Sequence, residues 1–93
     1  MLRHLGYHLH RLAIPAVLAI RFDSTGTHAE RGRVPPGLLA DCTDVAAAFA
    51  IERGRVEAVR GLHGFTLRFS PAIPAGSHQR FRNVFGVHLA GRR

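Results

Sequence analysis

Phe65-Thr66-Leu67-Arg68-Phe69-Ser70, followed by Pro71-Ala72-Ile73-Pro74-Ala75-Gly76, is the stretch that decides the fold. Three large apolar side chains alternate with three polar ones, the period-two signature of a strand with one buried face. The Pro-x-Gly step that follows ends the extended chain and opens a helix, because proline is preorganised for a first helical turn. Phe81, Val84, Phe85, His88 and Leu89 then recur at helical spacing, and Gly91 with the Arg92-Arg93 tail closes the run.

Upstream, Gly61-Leu62-His63-Gly64 reads as a turn, and residues 54–60 as a strand with Val56 and Ala58 on one face. Earlier still, Val34-Pro35-Pro36-Gly37 stops a strand and opens a helix. Its stripe is Leu38, Leu39, Cys42, Val45, Ala46 and Phe49, running to about Ile51. Before that helix, Leu18, Ile20 and Phe22 alternate with Ala19 and Arg21. Asp23-Ser24-Thr25-Gly26 then turns the chain into a more polar returning strand over 27–33. The order predicts an α+β fold: a four-stranded antiparallel sheet from two ββα repeats, about 16–51 and 54–90, with both helices on one face. Val34-Pro35-x-Gly37 matches Ile73-Pro74-x-Gly76 at an offset of 39, and at that offset Cys42 meets Phe81, Val45 meets Val84 and Ala46 meets Phe85, which supports the repeat. Residues 1–15 form a separate basic amphipathic segment ahead of a single domain over 16–93. There Leu2, Leu5, Leu9 and Leu12 mark one face of a short helix, which Gly6 weakens and Pro15 ends.

Gly32-Arg33-Val34-Pro35-Pro36-Gly37-Leu38-Leu39, then Asp41, then Asp44-Val45-Ala46, resemble one half of a small uncharacterised bacterial domain family of unknown function. Ile73-Pro74, then Gln79-Arg80-x-Arg82-Asn83-Val84, resemble the other half. The resemblance spans about residues 18–87 and implies a compact α+β domain with no assigned activity. Some members of such families look as if they begin with a membrane-anchoring segment. This chain departs there, because its first twenty residues are basic and rich in histidine.

Charge is unevenly placed. All thirteen basic residues are arginine, and the six acids lie between Asp23 and Glu57, giving a formal +7 that comes from two acid-free ends. Such a field attracts anionic partners: nucleic acid, an acidic protein or an anionic membrane surface. A lone Cys42 excludes a disulfide framework and fits a reducing, cytoplasmic compartment. No apolar run reaches the roughly 18 residues of a membrane-spanning helix, and His4, His8 and His10 break up the segment that a secretory signal would keep apolar.

Four groups of residues carry candidate chemistry. Gln79, Arg80, Arg82 and Asn83 on the last helix, extended by Arg68, Arg92 and Arg93, supply the forks and amides that phosphates and base edges take. A solvated face, or ion pairs to Asp41 and Asp44, is the plainer alternative. The Leu2/Leu5/Leu9/Leu12 face is an interface candidate, for its own sheet, a second copy of the chain or an anionic membrane surface. His4 and His8 stand one helical turn apart, with His10 and His28 as further ligands, but no acid or cysteine accompanies them, so surface histidines and no metal are expected. Cys42 lies on an apolar stripe, as a small hydrophobe does rather than a nucleophile. Asp41 and Asp44 sit near a helix start, where acids are favoured anyway. Gly-rich phosphate loops, nucleophile elbows and HExxH motifs are missing from the sequence. Phe22, Phe65 and Phe69 alternate with polar residues, which suits a buried face better than a base-stacking platform. The expectation is a non-enzymatic binding module without cofactors, contacting nucleic-acid backbone through arginine. The alternatives are a structural or homodimeric interaction domain, or peripheral membrane attachment.

Overall fold

A computed structural model describes residues 14–90. The chain runs β1 (Leu18–Asp23), β2 (Gly26–Arg31), α1 (Pro36–Ala48), β3 (Gly54–Gly61), β4 (Gly64–Phe69), a 3-10 turn (Ala75–Ser77) and α2 (His78–Leu89). The four strands form one antiparallel sheet in the order β2-β1-β3-β4, so each hairpin contributes one central and one edge strand. The α+β class and the four-stranded antiparallel sheet match the sequence reading. The expected helix over the leucines of residues 1–15 lies outside the described residues.

Both helices cover the same sheet face. Leu18, Ile20 and Phe22 of β1 and Val56 and Ala58 of β3 pack under Leu38, Cys42 and Val45 of α1 and Phe81, Phe85 and Leu89 of α2. Phe65, Leu67 and Phe69 of β4 join this core from the edge, as their alternation predicts. Phe81 is fully buried, its ring 5.7 Å from that of Phe22 and 6.1 Å from that of Phe69. The second helix starts less abruptly than expected: Pro74 leads into the 3-10 turn, where the Ser77 hydroxyl and amide both donate to the Pro74 carbonyl, and the α-helix proper begins at His78.

The first helix stops at Ala48, short of Ile51, for a visible reason. The Ile51 amide donates to the Ala46 carbonyl at 2.9 Å and the Ala50 amide to the Ala47 carbonyl at 3.4 Å. This six-to-one and five-to-two pair is a Schellman closure, which needs a left-handed residue at its centre. Ala50 takes that position with φ of 53°, where glycine is the usual occupant. Ahead of the helix, Gly32 turns the chain out of β2 with φ of 74°, where an added β-carbon would collide with the Val17 carbonyl and stand 3.0 Å from Leu18. Ala50→Gly is therefore expected to raise unfolding stability by about 1 kcal/mol, by relieving the left-handed strain of a β-carbon. Gly32→Ala is expected to lower it by at least about 2 kcal/mol, through strain plus a collision with backbone. Urea melts of the two variants check both signs.

Candidate functional site

α2 buries Phe81, Phe85 and Leu89, which leaves Gln79, Asn83 and Gly86 along its exposed ridge. Arg80 and Arg82 flank that ridge on either side. Each guanidinium rests near an aromatic ring supplied by another element. Arg80 lies 5.9 Å from the ring centre of Phe49, which caps α1, and Arg82 lies 5.6 Å from that of Phe69, which ends β4. The Phe69 ring is itself stacked on His78 at 3.7 Å, one turn before Arg82. Cation–π contacts of this kind contribute about 0.5–1 kcal/mol at exposed sites and leave the guanidinium donors free. Gln79 Nε2 donates to Asn83 Oδ1 at 3.0 Å, which holds the two amides together on the ridge. Among the described residues no carboxylate pairs with Arg80 or Arg82. Their expected alternative partner Asp41 accepts instead from His88, Nε2 to Oδ2 at 2.8 Å, across the two helices. Gly37 makes room for that ring, since a β-carbon there would stand 2.7 Å from His88 Cε1. Asp41 falls beyond the first turn of α1, so helix-start stabilisation is not what places it.

Arg68 does not join this surface, and here the sequence expectation is corrected. Strand alternation turns it to the sheet face opposite the helices, where it is 7% exposed. Its cross-strand neighbour is Glu57, 1% exposed. Arg68 Nε donates to Glu57 Oε1 at 2.7 Å, and Arg55 Nε donates to Glu57 Oε2 at 2.8 Å. Arg55 also pairs with Glu30 of β2, and Arg68 Nη1 donates to the Ile14 carbonyl at 2.8 Å. Burial pushes the Glu57 carboxyl up, but the hydrogen bonds from Arg68 and Arg55, with their charges, outweigh it and hold the group below its ordinary 4.5. The sequence reading missed this cluster, although the turn carries the signal: pairing Gly61 with Gly64 sets Glu57 opposite Arg68.

The family model for a protein of unknown function, DUF3634, matches residues 8–92. The chain belongs to the DUF3634 family. No curated protein and no solved structure matches it. In this DUF3634 domain the remaining sequence candidates fall as follows. Arg92 and Arg93, the leucines Leu2, Leu5, Leu9 and Leu12, and His4, His8 and His10 lie outside the described residues. His28 approaches Asp23 Oδ1 at 3.1 Å and the Thr25 hydroxyl at 2.7 Å, within the β1–β2 turn. Among the described residues, histidine, cysteine and acidic side chains form no group of three fit to hold a metal. Cys42 is fully buried; burial, with a smaller push from Asp41, raises its thiol to about 12, so it stays protonated at neutral pH. No described helix is long and apolar enough to cross a membrane.

The depressed Glu57 carboxyl ties the stability of the DUF3634 domain to acid pH. A carboxyl held low in the folded state stabilises fully above its unfolded value, and that contribution is lost as pH falls through the folded value. Glu57→Gln leaves two guanidinium groups against a neutral amide and is expected to cost about 3 kcal/mol at neutral pH. The wild-type chain should lose stability relative to Glu57→Gln as pH drops below the ordinary glutamate range. Chemical melts of both proteins at neutral pH and in steps below 4.5 read the gap and its closing.

Proposed function

We propose that this domain is a non-enzymatic binding module that grips an anionic partner, nucleic-acid backbone foremost, through the outer face of α2. The supporting observation is the pair Arg80 and Arg82, each rested on a ring and without a carboxylate partner among the described residues, on either side of Gln79 and Asn83. Gly86 on the same ridge has open space where a side chain would stand, so a sugar-phosphate strand can approach the helix closely. Apart from the buried Arg68, the sequence from Ala58 to Arg93 has five arginines and no acid, Arg92 and Arg93 among them, which adds positive charge near the end of the chain. Arginine forks set against phosphate give salt-sensitive binding with little sequence preference. The lone buried thiol fits a cytoplasmic setting. The two strand–strand–helix units read as copies of one ancestral unit, each helix opened by a Pro-x-Gly step.

Fluorescence anisotropy with short single- and double-stranded oligonucleotides tests the reading. Binding is expected at low salt and should weaken as salt rises. Arg80→Ala with Arg82→Ala should lower the slope of log affinity against log salt by about 2, one for each lost phosphate contact. Arg31→Ala, on the far edge strand, should leave the slope unchanged. No binding at low salt, or a double variant that binds like the wild type, refutes the proposal.

A further inference from the structure

The two edges of the sheet are built differently. Edge strand β2 carries Glu30 and Arg31, and its pairing with β1 is irregular between Ala19 and Ile20. Charges and register breaks of this kind discourage further strand pairing. Edge strand β4 has neither proline nor bulge, and its one charge, Arg68, is tied to Glu57 on the far face.

The phase of the β4 backbone follows from the ladder. The Ser70 amide donates to the Arg55 carbonyl at 3.0 Å. Bonded pairs alternate in an antiparallel ladder, so Glu57 with Arg68 and Val59 with Thr66 exchange bonds. The amides and carbonyls of Phe65 and Leu67 then point out of the sheet, while their side chains turn toward α2. Between β4 and α2 runs a groove of about 360 Å³, whose lining includes Phe65, Leu67, Arg82, Phe85, Gly86 and Leu89. A β-carbon on Gly86 would meet nothing within 4 Å, so the groove is open at its helical wall.

We propose that this edge and groove receive an extended acidic peptide, which adds a strand along Phe65–Leu67, seats an apolar side chain against Phe85 and Leu89, and sets a carboxylate against Arg82. Strand addition draws affinity from main-chain hydrogen bonds and specificity from pockets for alternate side chains, and both are present here. Charge selects the occupant. Every charged residue from Ala58 onward is arginine, Arg60 and Arg82 beside the groove among them. A second copy pairing β4 against β4 would bring two sets of these arginines together with no acid between them. The Gly91-Arg92-Arg93 tail is basic as well. Nucleic acid has no peptide backbone to continue the ladder. The inference goes beyond the nucleic-acid reading and shares Arg82 and Gly86 with it.

The test pans a display library of short random linear peptides against the full chain, then follows enriched peptides by amide NMR. Enriched sequences should alternate aliphatic residues with one Asp or Glu, and binding should slow amide exchange at Phe65 and Leu67 by roughly tenfold or more. Gly86→Phe, which fills the groove from an exposed position, should abolish capture without altering the fold. Arg82→Gln should weaken the acidic peptide by about tenfold, and should not weaken its Asn or Gln analogue. Arg80→Ala with Asn83→Ala should leave peptide binding intact, which separates this surface from the oligonucleotide face. Enrichment no greater than on Gly86→Phe, enriched peptides without acids, or shifts confined to Gln79, Arg80 and Asn83 would overturn the proposal. So would protection of the Phe65 and Leu67 amides that rises with protein concentration alone, since a second copy would then hold the edge.

Discussion

A carboxylate buried in a central strand governs where this domain can spend its positive charge. Glu57 sits on β3 between Ala19 of β1 and Arg68 of β4, almost without solvent. A lone buried carboxylate would be driven to take up a proton, so an ionised one requires donors on each of its oxygens. Arg68 from the neighbouring strand and Arg55 from two residues earlier on β3 meet that requirement, one at each oxygen, and Arg55 also engages Glu30. Two arginines that look like surface charge in the sequence are thereby committed to holding the sheet together. The small side chain of Ala19, fully buried beside Glu57, leaves the network its space.

The other sheet face follows ordinary packing, and it positions the arginines of α2. Phe69 must point to the helices because Arg68 points away, and its ring becomes the support for both His78 and Arg82. Phe49 closes α1 where the chain turns through Ala50, and its ring supports Arg80. Charge on α2 is therefore held by the same aromatic residues that complete the core. Coupling of this kind makes the exposed face of α2 more ordered than a solvated helix face carrying long side chains, at little entropic cost to a partner that binds there.

Much of the fold was legible in local pattern. Period-two alternation at Leu18–Phe22 and Phe65–Phe69, turns rich in glycine and proline before each helix were enough to place six elements. Helix ends were less legible, because the stop after Ala48 depends on an alanine taking a conformation that sequence rules assign to glycine. The candidate site was half legible. Gln79, Arg80, Arg82 and Asn83 do share the exposed side of α2. Arg68 is not with them: alternation alone says which residues turn from the core, not what they meet there. That information lies in the register between strands, which the Gly61–Gly64 pairing sets and a walk along one strand at a time does not use.

The most direct measurement is NMR of the arginine Nε–H groups, with and without a short oligonucleotide at low salt. Slow solvent exchange is expected at Arg55 and Arg68 and fast exchange at Arg80 and Arg82, with oligonucleotide-induced shifts at Arg80 and Arg82 while Arg55 and Arg68 stay fixed. Fast exchange at Arg68, or a shift there on adding oligonucleotide, would contradict the division of arginines between a buried carboxylate and the α2 surface.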